Sequence, residues 1–262
     1  MPHLDVNGQR LHVEDSGGEG PPIVLSHGFL MDHRMFAAQV AEFGERYRII
    51  TWDQRGFGDT VGDGQPFTYW DSARDLFAIL AARGIERAVL VGRSQGGFLS
   101  LRAALLHPDR VRALVLIDTQ PAPEDPEVVT AYRTMIDSWV DDGYQEELAD
   151  VIAGLIIGDE HLARTWKDSW RELDRAGLAQ AGRTLLTRDD VTGRLAEIDA
   201  PTLVVHGELD AAIPITTARA MAAALPECRG VVEVPGAAHA PNLSHPDLVN
   251  PALRDFLEGL PA

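Results

Sequence analysis

Short apolar runs rich in Val, Ile and Leu alternate along this chain with longer segments whose apolar residues recur at three- and four-residue steps. That alternation is the strongest constraint on the fold, because parallel strands need long crossovers, and helical crossovers cover both faces of the sheet. After an opening hairpin that turns at Asn7-Gly8, strands are expected at Pro22–Ser26, Arg48–Trp52, Ala88–Gly92, Ala113–Ile117, Thr202–Val205 and Val231–Val234. Helices are expected over Asp32–Phe43, Thr68–Arg83, Gln95–Leu106, Pro214–Leu225 and Pro246–Leu257. The class is α/β.

One stretch breaks the rhythm. The run P-A-P-E-D-P from Pro121 resembles a linker, and helical patterning then continues from Glu127 to about Arg188 without a convincing strand. Residues 121–188 therefore read as a helical cap inserted into a core made of residues 1–120 and 189–262. The insertion carries Trp139, Trp166, Trp170, Tyr132, Met135 and the run Leu155-Ile156-Ile157. These either pack as the cap's own core or line a ligand cavity.

Composition excludes several function classes. The chain has 262 residues, enough to bury a full core without disulfide or metal staples, and no apolar run reaches the length needed to cross a bilayer. With 23 basic against 40 acidic residues, the formal charge of -17 opposes docking on nucleic acid or on anionic membranes. Neutral small molecules are the expected partners, and self-association into a homo-oligomer is compatible with the sequence. The single cysteine, Cys228, has no bridging partner and no second Cys or His at zinc-ligand spacing; it reads as a loop or core residue. No metal or cofactor is expected. The residues from Met1 to Glu14 alternate apolar and polar where a secretory signal would need a basic start and an apolar run, so the cytoplasm is the expected location.

The sharpest chemical signal is Gly92-Arg93-Ser94-Gln95-Gly96, between an expected strand and an expected helix. A serine on so tight a turn takes a strained backbone conformation, glycines on either side relieve the crowding, and the hydroxyl is presented as a nucleophile. Such a hydroxyl needs a base, and the base needs a third group to hold its tautomer. His3, His12, His33, His107, His161 and His245 fall on the hairpin or on helices and their ends. His239 instead sits in the loop P-G-A-A-H-A-P, where packing gives no reason for an imidazole. Asp210, in the turn H-G-E-L-D after the strand Thr202–Val205, is the expected acid; Asp118 in L-I-D-T and Glu208 are its rivals. Loops at the carboxyl ends of parallel strands share one edge of a sheet, so Ser94, Asp210 and His239 can converge there. On the same edge, Ser26-His27-Gly28-Phe29 turns sharply, so the amide of Phe29 can join that of Gln95 in an oxyanion hole, with His27 bracing the loop. Asp53-Gln54-Arg55-Gly56-Phe57-Gly58 reads as a second bracing turn, with Asp53 and Arg55 paired. Arg93 is expected to pair with an acid near the sheet edge, Asp118 being a candidate.

Together, H-G-F, D-Q-R-G-F-G, G-R-S-Q-G-G, G-E-L-D and G-A-A-H-A-P, in that order from Val6 to Leu257, resemble the α/β-hydrolase superfamily, and within it the small cofactor-free esterases, enol-lactonases and perhydrolases. The resemblance implies a mostly parallel eight-stranded sheet flanked by helices, with a helical cap after the sixth strand. It also implies a catalytic triad of Ser94, His239 and Asp210 and an oxyanion hole from Phe29 and Gln95. Gln95 after the nucleophile and Arg93 before it depart from many of those relatives. The expected activity is hydrolysis of a small neutral carboxylic ester or lactone. Carbon-carbon bond hydrolysis and perhydrolysis use the same three groups, and a ligand receptor of this fold is the reading from another class. Dehydrogenase and phosphoryl-transfer readings lack G-x-G-x-x-G after a strand and G-x-x-x-x-G-K-[ST].

Overall fold

A computed structural model describes residues 2–261 of the chain. Eight strands, β1 (His3–Val6), β2 (Gln9–Asp15), β3 (Pro22–Ser26), β4 (Arg48–Trp52), β5 (Ala88–Arg93), β6 (Val111–Ile117), β7 (Thr202–Gly207) and β8 (Cys228–Val234), form one sheet. Their spatial order is β1-β2-β4-β3-β5-β6-β7-β8. β1 and β2 run antiparallel to their neighbours, and every pairing from β4 to β8 is parallel. Central strands such as β5 (A-V-L-V-G-R) and β6 (V-R-A-L-V-L-I) are buried along almost their whole length, as strands covered on both faces must be.

The crossover helices are α1 (Ala37–Phe43), α2 (Tyr69–Ala82), α3 (Gln95–Leu106), then α4 (Pro126–Asp142), α5 (Glu146–Ile156), α6 (Glu160–Arg171) and α7 (Arg175–Leu186) together between β6 and β7, and finally α8 (Ile215–Ala224), α9 (Pro241–Ser244) and α10 (Pro246–Glu258). Local chemistry sets several boundaries. Thr68 and Asp71 form a reciprocal capping box at the start of α2. Pro126 and Pro246 open α4 and α10, where the missing N–H costs nothing. The helix expected over residues 32–43 is instead divided: Asp32 caps a 3-10 turn, His33–Phe36, before α1 begins. Cys228 lies half-buried at the start of β8.

The aromatic residues between β6 and β7 separate into two groups. Trp139 packs edge-on to Trp170 at 6.1 Å and to Tyr144 at 5.9 Å, and the Trp170 indole donates to the Leu30 carbonyl at 2.6 Å. Those side chains join the helices to one another and to the loop after β3. Tyr132, Met135, Leu155 and Ile156 face a cavity beside Ser94, and none of the three tryptophans of this segment lines it. Among the described residues no helix is long and apolar enough to cross a membrane.

Candidate active site

Ser94 joins β5 to α3 with φ 50° and ψ -116°, a region that side chains avoid. Several bonds hold it there. Its N–H donates to Ile117 at 2.9 Å, and its carbonyl accepts from Gly97 N–H and from the Thr119 hydroxyl, both at 2.8 Å. Two glycines make the approach possible: a Cβ on Gly96 would stand 1.9 Å from the Ser26 carbonyl oxygen, and one on Gly92 would stand 2.2 Å from that of Gly96. Strain of this kind costs about 1–3 kcal/mol and persists only where the surroundings over-determine it.

The carboxyl edge of the sheet brings three distant side chains together. His239 Nε2 lies 3.1 Å from Ser94 Oγ, and His239 Nδ1 lies 2.7 Å from Asp210 Oδ2. The other Asp210 oxygen accepts from the Ala212 and Ile213 amides at 2.8 and 3.0 Å. The loops that carry Asp210 and His239 touch through the backbone, with Leu209 N–H donating to Ala237 at 2.8 Å. There is no room there for a side chain at Gly207, whose Cβ would fall 2.1 Å from the Ala238 oxygen. Glu208 turns away, accepting instead from the Gly236 amide at 2.9 Å.

Burial, then the Arg93 charge, lowers the His239 imidazole to about 4 against the opposing pull of Asp210. The ring is therefore a neutral base at pH 7. Asp210 is held below the usual carboxylate range: burial opposes its charge, but His239 and the amide donors outweigh it. Asp118, wholly buried at the end of β6 with φ 43°, goes the other way. Burial and then the neighbouring Asp210 raise it well above its ordinary value, against the lowering pull of the Gly207 amide and the Arg93 charge. One Asp118 oxygen accepts from Gly207 N–H at 2.9 Å, and the other has no hydrogen-bond partner among the described residues.

His206, which sequence reasoning passed over, completes this buried layer. Its Nε2 donates to the Ile213 carbonyl at 2.8 Å and stands 3.4 Å from Asp210 Oδ2, while Nδ1 stands 3.7 Å from Asp118. Its place in the run H-G-E-L-D, at the end of an expected strand, was the available signal. Donor atoms of Asp118, His206 and Asp210 lie within 4.8 Å of one another. A cation there would compete with the hydrogen bonds that already occupy Asp210 and with the Arg93 guanidinium nearby.

Two expected pairings are corrected. Arg93 makes no ion pair with Asp118; its guanidinium donates through Nε, at 2.8 Å, and through Nη2 to the His239 carbonyl. It reaches that carbonyl under the β3 loop only because Gly28 lacks a Cβ, which would sit 2.1 Å from Nη1. Asp118 and Asp210 act on Arg93 through space alone, and burial draws it down to about 10. Arg55 pairs with Asp75, not Asp53, with Nε 2.6 Å and Nη2 2.9 Å from its two oxygens. Asp53 accepts from the His33 ring at 2.8 Å. Asp53 and Arg55 are neighbours that point apart at a turn, whereas Arg93 lies opposite Ile117, not Asp118, in the β5–β6 register; in both cases the partner comes from another element.

His27 braces the turn after β3. Its Nδ1 donates to the Gly28 carbonyl and its Nε2 accepts from the Gln54 amide, both at 2.8 Å. Burial lowers its affinity for a second proton, consistent with that single tautomer. Among the described hydrogen bonds neither Phe29 N–H nor Gln95 N–H finds a protein acceptor, as befits a loop amide and the first residue of a helix. Beside Ser94 and His239 opens a cavity of about 230 Å³ lined mostly by apolar side chains, among them Phe29, Leu30, Met135, Ile152 and Leu185. Glu124 also borders it, but its charge is met by Arg188 at 2.9 Å and by the Gln120 amide at 2.7 Å.

A family model described as the alpha/beta hydrolase fold matches residues 21–246. The chain belongs to that family. It is 31% identical to the pimeloyl-acyl-carrier-protein methyl ester esterase of Xanthomonas campestris over 96% of this chain and the whole of that protein. It is 30% identical, over 98% of this chain and all of the other, to a Synechocystis protein named provisionally as a non-heme chloroperoxidase. Among solved structures, the enol-lactonase of Burkholderia xenovorans LB400 superposes with a TM-score of 0.90 at 27% identity, covering 98% of this chain and 100% of that one. The protein is thus an α/β-hydrolase with esterase and lactonase relatives.

Proposed function

We propose that this α/β-hydrolase is a serine hydrolase that cleaves a small neutral carboxylic ester or lactone through an acyl-enzyme. The observation that carries the reading is the unbroken relay from Asp210 through His239 to Ser94, opening onto an apolar cavity of about 230 Å³. Ser94 Oγ attacks the acyl carbon while its proton passes to His239 Nε2; Asp210 holds the ring and steadies the imidazolium. The carbonyl oxygen, now anionic, is received by the amides of Phe29 and Gln95, the latter at the positive end of α3. His239 returns its proton to the leaving alcohol, then takes one from the water that releases the acid. Helices α4 to α7 serve as the cap that gives the acyl group its apolar walls. A charged acyl tail would lose its hydration there, with Glu124 already neutralised, which favours neutral substrates.

Hydrogen peroxide in place of water at the second step would make the same site a perhydrolase. The peroxidase name of one relative supports testing that reading. The test is a fluorophosphonate probe followed by mass spectrometry, alongside a panel of esters, lactones, diketones and peracid formation. Covalent label on Ser94, and loss of turnover on the order of 10⁶ in Ser94→Ala with the fold intact, are the expected results. A receptor with a disengaged serine would stay unlabelled, and activity retained in Ser94→Ala would overturn the assignment.

A further inference from the structure

Away from Ser94, on the side of the sheet where β2 lies beside β4, two imidazoles and several carboxylates converge. His12, on β2, is 6% exposed, yet neither of its ring nitrogens has a hydrogen-bond partner among the described residues. Buried polar atoms are rarely left so. The His33 ring lies alongside it, centroids 4.6 Å apart and planes 30° from parallel. One exposed carboxylate oxygen, Glu14 Oε1, stands 3.8 Å from both His12 Nε2 and His33 Nε2, so the two nitrogens face a common point. Asp53, fully buried, holds His33 Nδ1 at 2.8 Å, and donor atoms of His12, His33 and Asp53 all lie within 4.8 Å of one another. On its other side His12 Nδ1 faces Asp59 Oδ2 at 3.8 Å.

The charge around this group is unbalanced. Glu14, Asp53 and Asp59 face it, and the nearby cation, Arg34, is engaged by both oxygens of Asp32 at 2.9 and 2.5 Å. His3 packs edge-on against His12 at 5.5 Å and spends its Nε2 on the Asp59 carbonyl. We infer that His12, His33 and Glu14 ligate a divalent transition-metal ion, separate from the hydrolytic site, with Asp53 behind them fixing the His33 ring through Nδ1 so that Nε2 faces the ion. Imidazole with carboxylate suits zinc and its neighbours in the first row better than calcium or magnesium. Bonds of about 2.1 Å in a tetrahedral shell set donors about 3.4 Å apart, so Glu14 Oε1, at 3.8 Å from each imidazole Nε2, must close by only about 0.4 Å. Glu14 is free to supply most of that movement because it is exposed. The ion would clamp β2 to the turn after β3 and to the loop after β4, whose Gln54 in turn grips His27. Its role is structural, and the inference stands whatever the substrate of Ser94.

The test uses the full chain without a histidine tag, stripped of metal and titrated with Co²⁺ as a spectroscopic probe and with Zn²⁺ by calorimetry. One equivalent bound at micromolar or lower concentration, with the visible bands of low-symmetry Co²⁺ and a rise in Tm on adding Zn²⁺, is the expected result. His33→Ala and Glu14→Gln should each weaken Zn²⁺ binding at least tenfold and remove the Co²⁺ bands, and His12→Gln should do the same if it folds. Should His12→Gln not fold, the two more exposed variants decide alone. Failure to bind one equivalent, or binding that survives in His33→Ala because the ion sits at His206 or His239, would overturn the site.

Discussion

Two buried aspartates compete for the role of partner to His239, and replacing each by asparagine separates them. Donor atoms of Asp118 and Asp210 lie within 4.8 Å of each other. At that spacing and an effective dielectric of about 20, two ionised carboxylates repel by about 3.5 kcal/mol, or roughly 2.5 decades of proton affinity. That repulsion favours a proton on one of them. Asp210 has two backbone N–H donors and His239 to support its charge, whereas Asp118 has one hydrogen-bond donor among the described residues, the Gly207 amide, and the more distant Arg93 charge. Both contrasts favour the proton on Asp118, and an asparagine amide would reproduce the donor and the acceptor of a neutral carboxyl. Asp118→Asn is expected to keep kcat/KM within about threefold. Asp210→Asn leaves the imidazole without its anion and in the wrong tautomer, which costs on the order of 10⁴ in rate, about 5 kcal/mol of transition-state stabilisation. The assay is kcat/KM on a chromogenic ester, with circular dichroism and thermal melts to verify that both variants are folded. Equal losses in the two variants would refute the reasoning, because Asp118 would then be acting as a charged partner of the base.

Because His239 is lowered to about 4, kcat/KM should rise with pH through an apparent value nearer 4 than 6.5 and be level by neutrality. A pH profile with its acid limb at 6.5 or above would show that burial and Arg93 do not act on the base as described. Gly96→Ala places a Cβ 1.9 Å from the Ser26 carbonyl oxygen and should lower Tm, by at least about 1–3 kcal/mol of stability, while displacing the loop that carries the Phe29 amide. An unchanged melt would mean that the elbow is looser than its contacts suggest. Met135→Ala, on the cavity wall, should move the preferred acyl chain of a p-nitrophenyl ester series towards longer members; no shift would place the acyl group elsewhere.

What could be read from the sequence, and what could not, divides along a physical line. The run G-R-S-Q-G announces a strained turn because glycine is needed where backbone meets backbone, and that need is local: Gly92 and Gly96 answer to atoms a few residues away or on the adjoining strand. The alternation of strands and helices is local too, and it implies a mainly parallel sheet and hence the shared edge that gathers Ser94, Asp210 and His239, though not the spatial order of the strands. Side-chain partners do not. The sequence suggests near or obvious acids for Arg55 and Arg93, yet Arg55 finds Asp75 on α2 because a turn points it away from Asp53, and Arg93, opposite Ile117 in the sheet, finds a backbone carbonyl on the loop after β8. The pair His12 and His33 shows the limit most sharply. Nothing in the spacing of two histidines 21 residues apart marks them as neighbours. They meet because β2 runs antiparallel to β4 with Val13 opposite Trp52, so that the Asp53 amide donates to the His12 carbonyl at 3.0 Å and the Asp53 side chain then draws in His33. Slipping that register by one residue would turn His12 to the other face of the sheet and leave Asp53 with His33 alone. A chemical group assembled through strand register is thus invisible until the pairing is known, whereas one assembled on loops at the end of a parallel sheet is half visible in the order of the strands.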